Sequence, residues 1–138
     1  MIYLLDTNHL THPARRSPDA DLVARIAEEL NARRAATASV CWYEAWAGAK
    51  GGRGRRAEVW LRTLAEAALA VLSYDRRASE VHATLAPHRN EGALATRGQR
   101  DAAIAATALA HGAVLVTDNV AHFLRYETLG LELENWLR

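Results

Sequence analysis

The chain of 138 residues holds one cysteine, one methionine, one phenylalanine and three prolines. Each scarcity excludes something. With Cys41 alone no internal disulfide can form, which fits a reducing compartment. No apolar run approaches the ~20 residues of a membrane-spanning helix. The amino-terminal stretch Met1-Ile2-Tyr3-Leu4-Leu5-Asp6 is too short and too soon charged for a signal peptide. A cytoplasmic protein with no membrane partner is expected. No glycine-rich phosphate loop of either common type is present. Charge of one sign is also lacking. The formal net charge is +1, so bulk charge does not announce a nucleic-acid binder. Lysine is nearly absent: Lys50 is the single one and the other basic residues are arginine. Arginine suits bidentate phosphate contact, although genomic base composition accounts for most of this bias. The length fits one domain, residues 1–138, large enough to bury a core unaided.

What is present is an alternation of strand and helix signals. Ile2 to Leu5 reads as a buried central strand, followed by a loop at Asp6-Thr7-Asn8. His9 to Pro18 is mixed, with Pro13 and Pro18 blocking regular structure. Asp19 to Arg34 carries Leu22, Val23, Ile26, Ala27 and Leu30 on one helical face. Ala36 to Val40 predicts a second strand, Trp42 to Ala49 a helix, and Lys50 to Arg56 a glycine–arginine turn. Arg56 to Ala68 is helical by pattern, Leu69 to Tyr74 has strand character, and Ala78 to Pro87 is a further helix. Asn90 to Gly98 is expected as a loop. Asp101 to His111 is an alanine-rich helix stopped by Gly112. Val114 to Thr117 is a strand, and a short helix near His122 to Tyr126 precedes a last strand near Leu131 to Leu133. This pattern implies an α/β fold with a mostly parallel central sheet flanked by helices on both faces. Ligands of such sheets bind outside the carboxyl ends of the strands.

Acidic residues sit at those ends. Asp6 follows the first strand and Asp118 a later one, Asp101 opens the helix leading into that later strand, and Glu44 lies on the helix after Ala36 to Val40. Taken singly, each has a bland reading as a cap, a turn residue or a solvated side chain. Jointly they can converge, and a converging set repels itself unless a cation intervenes. Hard oxygen donors suit magnesium or manganese. Such a centre favours phosphodiester hydrolysis, because one ion activates water while a second stabilises the leaving oxygen. Thr7, Ser39 and Thr117 supply neutral hydroxyls. Asn8 and Asn119 are placed to hold carboxylates or donate to phosphate.

These residues resemble a PIN domain, most closely the VapC-type toxin of bacterial toxin–antitoxin pairs. The resemblance rests on Leu4-Leu5-Asp6-Thr7-Asn8, on Ser39 five positions before Glu44, on Asp101 to Ala108, and on Leu115-Val116-Thr117-Asp118-Asn119 with Phe123. It runs over essentially the whole chain, through Glu134-Asn135-Trp136. It implies that Asp6, Glu44 and Asp101 are metal-site acids, with Thr7 or Ser39 as polar helper and Asn8 supporting Asp6. Asp118 is assigned as the fourth acid, with Asn119 as an adjacent polar contributor. The implied activity is a Mg2+- or Mn2+-dependent endoribonuclease, with one or two ions per site, that cuts tRNA or rRNA and arrests translation. The implied partners are a VapB-like antitoxin, a second copy in a homodimer, and promoter DNA only through the antitoxin.

Arg97 and Arg100, just before Asp101, are candidate substrate contacts, although Arg100 also has an ion-pair reading. Lys50 to Arg56 could contact RNA phosphates, with a solvated turn as the plainer expectation. Trp42 and Trp46 share a helix face and are expected in the core, with Glu44 pointing elsewhere. Cys41 is expected as a packed thiol, and His9 and His12 as incidental. Three rivals stand beside the toxin. One is a PIN nuclease of RNA processing. Another is a non-catalytic protein- or RNA-binding module. The third is an aspartyl-phosphate hydrolase of the haloacid dehalogenase type, which usually carries a second acid where this chain has Asn8.

Overall fold

A computed structural model describes residues 1–85 and 97–137. Five strands form one parallel sheet: β1 (Ile2–Leu5), β2 (Ala35–Ala38), β3 (Ala70–Leu72), β4 (Ala113–Val116) and β5 (Leu133–Glu134), in the order β3-β2-β1-β4-β5. The helices are α1 (Thr7–Thr11), α2 (Ala20–Asn31), α3 (Ser39–Gly48), α4 (Gly54–Glu66), α5 (Arg76–Leu85), α6 (Arg97–Ala110) and α7 (Val120–Phe123). The strand order reverses at β1, which pairs with β2 on one side and β4 on the other. That places a crevice at the carboxyl ends of β1 and β4, where chain connections depart to opposite faces.

Both faces of the sheet are covered, as the alternation of elements implies. In β1 and β4, Leu4 lies opposite Leu115, and Leu5 opposite Val116. Successive strand side chains point to opposite faces. Accordingly Leu4 and Leu115 join one core with Ile104, Ala105, Ala108 and Phe123. Leu5 and Val116 join a second core with Leu10, Leu22, Ile26, Leu61 and Leu64. The alanines of α6 have a packing purpose: Ala102, Ala103, Ala105, Ala106 and Ala108 are all buried, so this helix lies close on the sheet. It ends at Gly112, whose φ of +66° is a left-handed stop that a side chain would resist. Helix α2 begins at Asp19, whose carboxylate accepts from the Asp21 and Leu22 amides.

Several boundaries differ from the sequence expectations. The segment after β1 is not a loop. Asp6 caps α1, its Oδ1 accepting from the Thr7 amide at 2.8 Å. Pro13 sits at the start of a 3-10 turn, His12–Ala14, where its missing N–H leaves nothing unsatisfied. Helix α6 starts at Arg97, so Asp101 lies one turn inside it and does not open it. The Lys50 to Arg56 stretch is not a free turn. It is split between a wide π-helical turn, Ala49–Arg53, and the first residues of α4. Of the loop expected from Asn90 to Gly98, residues 90–96 lie outside the described residues, as do residues 86 and 87 of the helix expected from Ala78 to Pro87.

Candidate active site

Three elements bring three carboxylates to the crevice. Asp6 arrives directly from the central strand and is 1 % exposed. Glu44 projects from α3, on the stripe that also carries Cys41 and Gly48 (i, i+3, i+7). Asp101 projects from α6 and is 4 % exposed. Trp42 and Trp46 occupy another face of α3, edge to face at 6.2 Å, packed on the second core. The cleft in front of the acids has a volume of about 370 Å³, and its walls include Thr7, Glu44, Arg100, Asp101, Asn119 and His122.

Asp6 is held from every side. Besides the Thr7 amide, the Thr117 hydroxyl donates to its Oδ2 at 2.8 Å, and the Cys41 thiol approaches its Oδ1 at 3.6 Å. Thr117 in turn accepts from the Asn119 amide at 3.0 Å, which fixes the turn after β4. A buried carboxylate accepting this many donors is locked in one rotamer. The Thr7 hydroxyl donates to Glu44 Oε1 at 2.6 Å. One residue therefore orients two acids, through its amide and its hydroxyl.

The dominant electrostatic feature is Arg100. Its Nε and Nη2 make a fork with Glu44 Oε2 and Oε1 at 2.5 and 2.7 Å. Its Nη1 donates to Asp101 Oδ1 at 2.8 Å, and Nη2 also reaches Thr7 Oγ1 at 3.2 Å and Asp6 Oδ1 at 3.3 Å. One guanidinium thus faces all three carboxylates. The consequences differ between the acids. Burial alone would push Glu44 up, but the hydrogen bonds from Arg100 and Thr7 hold it below the ordinary carboxylate value. For Asp101 burial wins: despite Arg100, desolvation and the charge of Asp6 push it up. The fork with Glu44 first, and then the charge of Asp6, push Arg100 itself further into its charged form against its partial burial. Burial pushes the Cys41 thiol well above its usual range, so it acts as a neutral donor and not as a thiolate.

The remaining candidates fall in different places. Asn8 does not support Asp6. Its amide donates to Asp118 Oδ1 at 3.2 Å. Asp118 is exposed beside the cleft, whereas the neighbouring Asn119 lines it. The Ser39 hydroxyl turns away and accepts from the Tyr74 amide at 3.3 Å. Arg97 lies in the first turn of α6, and its side chain is outside what is described. Sequence reasoning gives no role at the site to two neighbours, His122 and Cys41, and places a third, Arg53, in a stretch whose plainer expectation is a solvated turn. His122 stands with Nδ1 3.8 Å from Asp101 Oδ2. Arg53, swung in by the π-helical turn, lines the cleft. Cys41 contacts Asp6, which its position three residues before Glu44 could have signalled. His9 lies beneath the site, fully buried, its Nε2 accepting from the Trp136 amide at 3.1 Å.

Comparison with known proteins agrees with this architecture. No curated protein matches the sequence. Among solved structures, VapBC2 from Rickettsia felis, bound to a promoter DNA fragment, contains a chain that superposes with a TM-score of 0.78 at 24 % identity, covering 99 % of this chain and 100 % of that one. DNA-bound VapBC from Salmonella typhimurium gives 0.72 at 25 % identity, with 99 % of each chain covered. VapBC-1 from nontypeable Haemophilus influenzae gives 0.69 at 26 %, with 100 % of each covered. The family model of the PIN domain matches residues 3–128, and with the parallel sheet and the acids gathered at its switch point, the chain belongs to the PIN domain family.

Proposed function

We propose that the chain is a metal-dependent endoribonuclease and the toxin of a VapBC-like pair, acting in the cytoplasm to arrest translation by cutting tRNA or rRNA. The observation that carries this reading is the convergence of Asp6, Glu44 and Asp101 at a solvent-open cleft, with Asp6 and Glu44 held in place by Thr7 and Thr117. An enzyme fold that buries Asp6 and Asp101 against their own repulsion does so at a cost in stability, which a function for the pair accounts for.

The donor set suits a hard divalent cation such as Mg2+ or Mn2+, because it consists of carboxylate oxygens with room for water. Its present arrangement does not: Arg100 stands at the meeting point, and among the described residues no group of three acidic, histidine or cysteine side chains is disposed to hold an ion. Asp6, Glu44 and Asp101 are the residues that would hold one or two ions once the guanidinium gives way. Asp118 or Asn119 would complete the set. A bound ion supplies charge neutralisation and lowers the pKa of a water molecule. The chain's own groups supply position. Asp6 is fixed by the Thr7 amide, the Thr117 hydroxyl and the Cys41 thiol, Thr7 couples it to Glu44, and His122 lines the cleft where a phosphate oxygen or leaving hydroxyl would lie. Arg53 adds a positive charge to the cleft wall. It also lines a neighbouring cleft of about 360 Å³ with Arg15 and Thr11, giving an RNA backbone a basic path out of the site.

The solved VapBC structures support a VapB-like antitoxin as partner; the same reading adds promoter DNA engaged through the antitoxin and a homodimer of the toxin. A non-catalytic binding module is the second reading, favoured by the occupation of the cluster by Arg100. Cleavage of total cellular RNA by purified protein, with Mg2+, Mn2+ or EDTA, separates the two. Expected is cleavage that EDTA, Asp6→Ala and Asp101→Ala abolish while circular dichroism shows folded variants. A folded wild-type protein that cuts none of a varied RNA set with either ion refutes the nuclease reading. A short reading frame for a small DNA-binding protein beside the gene separates a toxin from an RNA-processing nuclease.

A further inference from the structure

We propose that Arg100 is a resident counter-cation of the acid cluster: it keeps Asp6, Glu44 and Asp101 gathered in the metal-free protein, and a divalent ion must displace it to bind. This rests on the metal-dependent reading above.

The geometry carries the argument. Arg100 makes five hydrogen bonds, and every acceptor belongs to one of the three acids or to Thr7, which orients two of them. Its guanidinium therefore stands where the carboxylates converge and not at the rim. A single positive charge against three carboxylates leaves the site under-compensated. The fork goes to Glu44 alone, while Asp101 and Asp6 each receive a single contact from the guanidinium. A divalent ion at the same point would bring twice the charge, so the exchange has a driving force whenever the ion is abundant. The exchange also has a path. The Arg100 side chain remains 26 % exposed, while those of Asp6 and Asp101 are 2 % and 6 % exposed. The guanidinium can swing into the cleft without unpacking the alanine face of α6.

Two consequences follow from mass action. The apparent affinity for the ion is lowered by the fraction of molecules in which Arg100 has already left. A protein in which Arg100 is out one time in ten binds metal ten-fold more weakly than one without the plug. In addition, the displaced guanidinium ends in the cleft, free to meet a phosphate. Arg100 thereby becomes a substrate contact only in the metal-loaded protein.

The test uses the full chain stripped with EDTA. Mn2+ binding is followed by calorimetry for wild type, Arg100→Gln and Arg100→Lys, with Glu44→Gln as a ligand control. Arg100→Gln should bind Mn2+ at least ten-fold more tightly than wild type while losing thermal stability without metal. Arg100→Lys keeps the charge but not the fork and should fall between, which preserves the test if the glutamine variant fails to fold. A Mg2+ titration followed by 15N NMR should shift or broaden the Arg100 Nε–H signal in step with binding, a response that a purely structural ion pair would not give. Wild-type Mn2+ binding that Arg100→Gln leaves equal or weakens, or an Arg100 signal unmoved at saturation, overturns the proposal and leaves the metal site standing. No Mn2+ binding by wild type or any folded variant overturns the metal-dependent reading together with it.

Discussion

Replacing Glu44 and Asp101 one at a time by their neutral amides, in metal-free protein, should move stability in opposite directions. Glu44→Gln gives up the charge that holds the Arg100 fork at 2.5 and 2.7 Å and the acceptor of the Thr7 hydroxyl at 2.6 Å. Hydrogen bonds to charged groups contribute roughly 1.5–3 kcal/mol each. The glutamine retains one acceptor, and the Glu44 side chain is 28 % exposed, so water replaces part of the loss. A net destabilisation of about 1–2 kcal/mol is expected, which for a domain of this size lowers Tm by roughly 3–8 °C. Asp101→Asn removes a charge that burial and Asp6 disfavour, and its amide oxygen still accepts from Arg100. It should raise Tm by a few degrees, within the ~0.5–2 kcal/mol of single stabilising changes. Acid titration gives the same contrast. Glu44 is held below its ordinary 4.5, so its contribution is present above that value and lost as pH falls through the lowered one. Asp101 is raised above 3.8, so its penalty is present at neutral pH and relieved as pH falls through the raised value. Thermal unfolding followed by circular dichroism in EDTA, at neutral pH and near pH ~4, is the assay. If both variants lose similar stability, or Asp101→Asn loses more than Glu44→Gln, the electrostatic account of this site is wrong.

Three further outcomes follow from the same geometry. Arg15→Ala with Arg53→Ala should weaken binding of single-stranded RNA in EDTA and lower its salt slope by roughly 0.7 per lost phosphate contact; an unchanged slope in a fluorescence-anisotropy titration would remove both residues from the RNA path. Trp60→Phe takes away the indole N–H that donates to the Leu10 carbonyl at 2.8 Å, and urea unfolding should show a loss of about 1–2 kcal/mol. Burial pushes His9 below its ordinary 6.5, so the unfolded chain takes up a proton more readily than the folded one. Stability should therefore fall as pH drops below that value, and His9→Gln should flatten the fall between pH ~7 and ~5.5 in urea titrations.

The fold was legible because its signals are periodic. Apolar runs such as Ile2–Leu5 and Ala113–Val116 lie on strands, the stripe of Leu22 and Ile26 lies on a helix, and the alternation fixes a sheet covered on both faces. The convergence of Asp6, Glu44 and Asp101 was legible for a related reason: strand ends in a parallel sheet share one rim. What stayed hidden depends on where side chains point. Asn8 turns to Asp118 from within α1, where a loop was expected. Ser39 heads α3, and its hydroxyl meets the backbone beyond β3 at Tyr74 and not the crevice. The short β5 begins at Leu133, later than expected, because a 3-10 turn and Gly130 carry the chain around the edge first. Arg100 was expected to face substrate or to form an ion pair. Adjacent helix positions point apart, so nothing in the sequence showed that its long side chain folds back onto Asp101 and reaches two more acids.

The position of β1 has a consequence for biosynthesis. Among the described strands the central one is made first, and one of its two edges has no partner until residues 113–116 have been made. The Thr117 hydroxyl that fixes Asp6 comes immediately after, and Asp101 not long before. The cluster needs the whole stretch from Asp6 to Asp101, and Thr117 lengthens it further. Contacts of such long range close late in folding. Whatever chemistry the three acids perform, a nascent chain that has not yet reached Thr117 lacks part of the frame that holds them.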